Sequence, residues 1–143
     1  MHSVRKSVLV AHSAQQIYDL VEKVEDYPQF LPWCTHSSVA QRTDAGMEAT
    51  VGIGMGKVNQ SFSTTNLHKP GREIELRLKS GPFSSLAGRW IFTPLSPAAC
   101  KVELQLDYDF DSGMLGRLIA PVFDSIANSL VDAFVTRADR VYV

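Results

Sequence analysis

The hydrophobic pattern of this chain changes once, near residue 112, from the period of a strand to the period of a helix. In residues 100–110 every second side chain is apolar, which is typical of an antiparallel strand that buries one face. From Met114 to about Val141 apolar residues recur at helical spacing, which predicts a long amphipathic helix. A sheet face and a helix stripe of this kind are best buried against each other. The pattern therefore predicts a helix packed on an antiparallel sheet.

Further strands and one short helix complete this α+β prediction. Alternating or β-branched residues predict strands over 3–10, 37–43, 46–56, 56–69, 72–80 and 85–95. Ser13 and Gln16 have the spacing of a capping box, so a short helix is expected after the first strand, and Pro28 is expected to end it. Because the 143 residues contain no repeat or linker, residues 1–143 are expected to form a single domain.

The long terminal helix contains a proline, which leaves two alternatives. Either residues 114–120 form a separate turn and Pro121 starts the main helix, or Pro121 kinks one helix, so a break or kink near Pro121 is favoured. Gly52, Gly54 and Gly56 are expected to let the sheet bend around this helix. The predicted apolar stripe consists of Leu115, Leu118, Ile119, Val122, Phe123, Ile126, Leu130, Phe134 and Ala138.

Composition limits the classes of partner and the location of the protein. With 14 basic and 15 acidic residues the formal net charge is −1, so bulk charge predicts no binding of DNA or of an anionic membrane. Cys34 and Cys100 form no closely spaced pair and are expected to be free thiols in a reducing compartment. No stretch looks long and apolar enough to span a bilayer, so at most a peripheral membrane contact and a cytoplasmic location are expected.

The segment after the first helix carries the most specific motif. It reads D-Y-P-x-F-L-P-W-C over residues 26–34. Together with the preceding strand and helix, this motif resembles the START-like, helix-grip family that includes coenzyme Q-binding proteins and the bacterial ribosome-association toxin RatA. Members are often labelled polyketide cyclase/dehydrase or oligoketide cyclase. The resemblance extends over nearly the whole chain and implies a curved antiparallel sheet wrapped around a long C-terminal helix.

The resemblance implies more than one function. The leading hypothesis is a binding protein that carries or chaperones an isoprenoid quinone (ubiquinone) or a similar lipid in support of respiration, with no cofactor required. The alternative is a toxin that binds the large ribosomal subunit and blocks subunit association. For this role His2, Arg5, Lys6, Arg72, Arg77 and Lys79 are a possible local basic patch, although the near-neutral charge argues mildly against it. A cyclase or aromatase enzyme is the third possibility.

Strand parity and the helix stripe predict the residues of a ligand cavity between the two layers, and a one-residue bulge would invert any of these assignments. Arg89 and Tyr108 are candidate polar contacts. Within the motif, Phe30 and Trp33 are expected either to seal the cavity or to gate it. The predicted cavity residues are Phe30, Leu31, Trp33, Val51, Ile53, Phe62, Leu76, Leu78, Trp90, Phe92, Phe123 and Ile126.

Motifs for catalysis, metals and nucleotides are weak. The glycine-rich residues 52–57 precede a strand rather than a helix, which argues against a phosphate-binding loop. Asp107, Asp109 and Asp111 lack the glycine and glutamate that a calcium loop requires. The four histidines have no metal-binding spacing, and Cys34 near His36 is not a catalytic signature by itself. No catalytic or metal site is therefore predicted, although an enzyme is not excluded by the sequence.

Overall fold

The computed structural model describes residues 2–142, which form one antiparallel sheet, two α-helices and a short 3₁₀ segment. All the predicted strands are present, with bounds that differ by at most three residues from the prediction. The strands are β1 His2–Val10, β2 Cys34–Thr43, β3 Gly46–Met55, β4 Val58–Lys69, β5 Glu73–Ser80, β6 Phe83–Ser96 and β7 Ala99–Phe110. The helices are α1 Ala14–Glu22 and α2 Met114–Val141, and the 3₁₀ segment is Val24–Gln29.

The sheet has the strand order β1-β7-β6-β5-β4-β3-β2, and every neighbouring pair is antiparallel. Five consecutive hairpins generate the run from β2 to β7, and β1 returns to pair with β7. The helix α2 packs on the inner face and contacts β1, β7 and β4. Val102, Leu104 and Leu106 of β7 are buried, whereas the residues between them are partly exposed. The predicted α+β architecture, a sheet wrapped around a terminal helix, is confirmed.

The short helix α1 begins as predicted but ends earlier. Gln16 N–H donates to Ser13 Oγ at 3.1 Å, and Ser13 N–H donates to Gln16 Oε1 at 2.9 Å, so the capping box is complete. The helix ends at Glu22, where Lys23 leaves the helical region with ψ of 70°. Pro28 lies inside the following 3₁₀ segment. The prediction that Pro28 ends α1 is therefore wrong.

The glycines of β3 make room for side chains of the neighbouring strand. A Cβ at Gly52 would lie 2.3 Å from the ring of His36, and a Cβ at Gly54 would lie 2.4 Å from Thr35 Cγ2. The register between β2 and β3 shifts between Cys34 and Ser37, next to these close contacts. The two glycines thus let β2 cross β3 closely at the point where the 3₁₀ segment joins the sheet.

The long helix α2 is continuous through Pro121, so a break at that position is ruled out. Pro121 is solvent-exposed, where water can pair with the carbonyl that its missing N–H would have bonded. The predicted stripe is wrong at its start, because Leu115 and Leu118 are 47% and 50% exposed. Gly116 takes the inward position instead, since a Cβ there would lie 2.1 Å from the Asp111 carbonyl oxygen.

By length and composition α2 is apolar enough to cross a membrane, which the sequence expectation missed. The mean hydropathy of its most apolar window of 18 residues is 1.5. Ile119, Phe123 and Phe134 on its inner side are nevertheless buried against the rest of the fold. The core helix of a protein outside a membrane passes the same test, so the length of α2 is explained by its packing on the sheet.

Candidate ligand cavity

A cavity of about 90 Å³ lies between the inner face of the sheet and α2. Strands β3 to β7 form its floor, α2 forms its roof, and the end of α1 with the 3₁₀ segment and Trp33 closes one side. An engineered apolar cavity of about 150 Å³ admits benzene, and pockets for drug-sized ligands measure about 300–1,000 Å³. In the conformation of this structure the cavity is therefore too small for a quinone ring with an isoprenoid chain.

The lining is almost entirely apolar. Thr64 and Asn66 are the only lining residues with a hydroxyl or an amide that is not part of an aromatic side chain. Tyr27 also lines the cavity, but its hydroxyl donates to the Val21 carbonyl. The lining residues are Val21, Val24, Tyr27, Trp33, Ala49, Val51, Phe62, Thr64, Asn66, Ile74, Leu76, Leu86, Trp90, Leu106, Phe123, Ile126, Leu130 and Phe134.

The cavity contains no group suited to proton transfer at neutral pH. Among the described residues its lining has no carboxylate, histidine, lysine or arginine. Burial raises the pKa of the Tyr27 phenol, so that group stays protonated. Within residues 2–142 no three His, Cys, Asp or Glu side chains lie close enough together to hold a metal ion. The arrangement is suited to burying an apolar molecule.

The structure places seven of the predicted cavity residues in the lining and five elsewhere. Ile53 and Phe92 are fully buried in the core without facing the cavity, and Leu78 packs partly buried against the core. Phe30 and Leu31 lie on the outer side of the 3₁₀ segment. The seven that line the cavity are Trp33, Val51, Phe62, Leu76, Trp90, Phe123 and Ile126.

The motif at residues 26–34 has two faces. Trp33 faces the cavity and is 8% exposed, whereas Phe30 lies on the outside, with its ring centroid 5.3 Å from that of Phe134. The guanidinium carbon of Arg137 lies 4.9 Å from the Phe30 ring centroid, a cation–π contact. Leu31 is 1% exposed. In this conformation the segment seals the cavity, with Trp33 as its inner surface.

Phe30 and Leu31 also border an open groove, which we call the outer groove. It lies between the 3₁₀ segment and the C-terminal half of α2 and has a volume of about 470 Å³. Arg137 and Arg140 on α2 line it, and Arg137 donates a hydrogen bond to Gln29 Oε1 at 3.0 Å. The groove therefore joins apolar and basic side chains on the surface.

Neither predicted polar contact reaches the cavity. Arg89 points to the outer face of the sheet, where its Nη1 lies 3.8 Å from Glu73 Oε1. Tyr108 is 1% exposed, and its hydroxyl donates to Asp124 Oδ1 at 2.6 Å. Burial and the hydrogen bond to Asp124 both raise the pKa of the Tyr108 phenol. The placement of Arg89 and Tyr108 near a ligand is thus wrong for this structure.

The polar groups on the inner face come from β4, where sequence reasoning did not look. Thr64, Asn66 and His68 are all buried. They share the parity of Phe62, which was predicted to face inward, so the alternation of β4 contained the signal. The strand looked too polar to be read in this way. Thr64 Oγ1 donates to Asn66 Oδ1 at 2.7 Å, so the two side chains form a pair inside the sheet–helix layer.

His68 lies beyond the cavity, under α1. Its ring packs edge-on against Tyr18, with 6.1 Å between the ring centroids, and its Nε2 atom is enclosed without a hydrogen-bond partner among the described residues. Burial lowers the pKa of His68. Nearby Glu22 acts in the opposite direction, and Arg42 adds to the lowering. His68 is therefore a neutral core residue at pH 7.

Comparison with known families agrees with this geometry. Residues 10–135 match the family described as "Polyketide cyclase / dehydrase and lipid transport". The chain belongs to this family. The resemblance on which the sequence prediction relied is confirmed, because relatives of both expected kinds are found within it.

Two curated members of the family differ in how fully they match the chain. The Ribosome association toxin RatA of Vibrio cholerae is 42% identical over 142 residues, which are 99% of this chain and 99% of the relative. A mitochondrial coenzyme Q-binding protein, COQ10, of Dictyostelium discoideum is 28% identical over 135 residues, which are 92% of this chain but only 66% of the relative. The similarity to RatA is thus both higher and nearly end to end.

A solved structure supports the fold assignment. A START superfamily protein from Mycobacterium smegmatis has a TM-score of 0.82 and covers 99% of each chain at 23% identity. A likeness at this level of identity shows a shared fold. The chain therefore has the START-like, helix-grip architecture that its family implies.

Proposed function

We propose that this protein is a RatA-type factor that binds the large ribosomal subunit and hinders subunit association. The observation that carries the proposal is the end-to-end similarity to RatA, at 42% identity over 99% of both chains. The coenzyme Q-binding relative is more distant and has a third of its length outside the match. A cytoplasmic location belongs to the same proposal, because ribosomal subunits are found there.

The basic surface expected for this role lies in a different place from the sequence prediction. Arg5 is paired with Asp107 at 2.9 Å, and Lys6 lies 3.3 Å from Asp132. The other predicted cations are mostly paired as well, since Arg77 contacts Glu75 at 2.8 Å and Lys79 contacts Glu48 at 2.6 Å. These ion pairs neutralise most of the predicted patch.

The outer groove is a better candidate for contact with ribosomal RNA. Among the described residues Arg140 has no ion-pair partner, and Arg137 contacts only the neutral Gln29 and the Phe30 ring. Arginines that are free of carboxylates can bind phosphate groups, while an adjacent aromatic ring can stack on an unpaired base. We assign the subunit contact to this groove within the same proposal.

Sucrose-gradient sedimentation of purified subunits tests this function. We expect the protein to lower the fraction of subunits that associate, and Arg137→Gln with Arg140→Gln to weaken that effect. The loss of phosphate contacts should also reduce the dependence of binding on salt, by about one logarithmic unit per contact. The matched control is Arg77→Gln with Lys79→Gln, which also removes two cations. Because both are already paired with carboxylates, this control should leave the effect on association unchanged.

The outcomes separate the function from the assignment of the surface. If the protein leaves subunit association unchanged at saturating concentration, the proposed function is wrong. If it blocks association but both double variants behave alike, the function stands and the groove is not the contact surface.

A second candidate function is the carriage of a hydrophobic ligand, such as an isoprenoid quinone, in the cavity. The apolar lining and the similarity to a coenzyme Q-binding protein support it. Because the cavity measures only about 90 Å³, a ligand of that size requires the layers to separate. The lining side chains that are only partly buried, and so lose least packing on separation, are Tyr27, Phe62, Leu76 and Leu130.

Native mass spectrometry with solvent extraction of bound lipid tests this candidate. We expect a stoichiometric lipid-like molecule in the native protein and its loss from Ala49→Leu, which adds three carbon atoms to the cavity lining. Val51→Ala enlarges the same cavity and is the control that should retain the ligand. A protein that is empty in both native and Val51→Ala forms would contradict carriage. Ribosome assays on Ala49→Leu then show whether the two functions are separable.

A further inference from the structure

Two hydrogen-bond donors face the cavity without partners. Asn66 and Trp90 both line the cavity and are each 3% exposed. Among residues 2–142, neither Asn66 Nδ2 nor the Trp90 indole Nε1 has a hydrogen-bond partner. The only enclosed, unpaired side-chain nitrogen or oxygen in the described part of the chain is His68 Nε2. The two donors therefore border open space, and the space that both residues line is the cavity.

The orientation of the Asn66 amide is held by its neighbour on β4. Thr64 Oγ1 donates to Asn66 Oδ1 at 2.7 Å, which occupies the carbonyl oxygen of the amide. The amide nitrogen is consequently directed away from Thr64, with its two N–H groups available. Buried donors without partners destabilise a folded protein, so an amide held in this way inside an apolar layer is typical of a binding site.

The strand register separates the two donors by an apolar strip. Asn66 on β4 lies opposite Leu76 on β5, and Trp90 on β6 lies opposite Ile74 on β5. Ile74 and Leu76 both line the cavity, so they form the floor between the donors. No charged side chain lines the cavity in the described part of the chain. A ligand with a carboxylate or an ammonium group would thus lose its hydration without gaining an ion pair.

We propose that the cavity selects compact apolar molecules that carry a hydrogen-bond acceptor, such as a ring ketone or an ether, and that Asn66 and Trp90 donate to that acceptor. The inference rests on the second proposed function, the binding of a ligand in this cavity. It adds the chemical class of the group that is recognised and the residues that recognise it. Ligands without an acceptor bind through burial alone and leave both donors unpaired.

Cyclopentanone and methylenecyclopentane are suitable probes, because they have the same shape and differ in whether the ring bears C=O or C=CH₂. Both are small enough for a cavity of about 90 Å³. Proton–nitrogen NMR titration follows the two tryptophan indole signals and the Asn66 amide directly, since the chain contains only Trp33 and Trp90. We expect the ketone to shift the Trp90 indole and Asn66 amide proton signals downfield, as hydrogen bonding requires, and the hydrocarbon to produce no such shift.

Variants convert this signature into an affinity ratio. The ratio of the two dissociation constants is compared between proteins, because the hydrocarbon leaves water more readily than the ketone for reasons unrelated to the donors. Asn66→Leu keeps the approximate shape of the side chain and should change the ratio in favour of the hydrocarbon by about fivefold, the value of one hydrogen bond. Trp90→Phe should act in the same direction. Ile74→Val trims the floor without removing a donor and should leave the ratio unchanged.

Each outcome decides a different statement. If both probes bind and the ratio is the same in native protein, Asn66→Leu and Trp90→Phe, the donor assignment is overturned while ligand binding in the cavity stands. If neither probe perturbs any signal from the lining residues, ligand binding in the cavity is overturned together with the donor assignment. Should Asn66→Leu fail to fold, Trp90→Phe and the downfield shifts in the native protein decide the question.

Discussion

Two neighbouring regions of the sheet–helix interface treat their polar groups in opposite ways. At the end formed by Phe83, Phe110 and Phe123, aromatic rings contact one another and the only buried hydroxyl, that of Tyr108, donates to Asp124. In the cavity around Asn66 and Trp90, rings and aliphatic side chains leave a space, and N–H donors remain unpaired. The first region, which we call the aromatic end, is packed for stability, whereas the cavity keeps polar groups that stability alone does not favour.

The largest expected effect is the loss of packing at the aromatic end. Phe83 is 4% exposed, and its ring centroid lies 4.8 Å from that of Phe123 and 5.1 Å from that of Phe110. Phe83→Ala should lower the free energy of unfolding by about 3–5 kcal/mol, because it removes buried area and leaves a void. Denaturant titration followed by circular dichroism measures this. The exposed Met114→Ala is the control and should stay within about 0.5 kcal/mol of the native protein.

Removing the paired hydroxyl of the aromatic end should cost less. Tyr108→Phe keeps the ring contacts but deletes the hydrogen bond to Asp124, whose side chain is 37% exposed and can be hydrated instead. We expect a loss of about 1 kcal/mol in the free energy of unfolding, measured by the same titration. A neutral or stabilising result would mean that the hydroxyl is no better paired than the cavity donors, and the contrast between the regions would disappear.

The same kind of substitution in the cavity should have the opposite sign. Thr64→Val combined with Asn66→Leu removes a hydroxyl and an amide of similar shape together, so no new unpaired partner is left behind. Without ligand, we expect this double variant to be more stable than the native protein by about 1 kcal/mol. Destabilisation comparable to that of Tyr108→Phe would show that the Thr64–Asn66 pair supports the fold.

The smallest expected effect concerns His68. Since burial lowers its pKa in the folded protein, folding favours the neutral ring. This contribution to stability is fully present above the unfolded value of about 6.5 and is lost as the pH falls from there towards the lowered folded value. His68→Phe should therefore reduce the loss of stability on acidification, measured by denaturant titrations between pH 7 and pH 5. His36→Phe, on an exposed side chain, is the control and should leave the pH profile unchanged.

The fold was predictable because it follows from short-range patterns. The alternation of β7, the capping box at Ser13 and the helical spacing after Met114 each depend on residues close together in the chain. The cavity was only partly predictable. Trp33, Val51 and Phe123 were placed correctly by parity and helix face, but Ile53 and Phe92 show that an inward-facing residue can belong to solid core instead of the cavity lining.

The amino-acid sequence by itself determined which side chains face the helix, because strand and helix periods follow from backbone geometry. It also determined the family, through the motif around Trp33 and the match over residues 10–135. The tertiary structure alone decided where the inner face is filled and where a space remains, since packing depends on contacts between distant strands and α2. For the same reason only the structure could show that the hydroxyl of Tyr108 has a partner and that the Asn66 amide nitrogen has none.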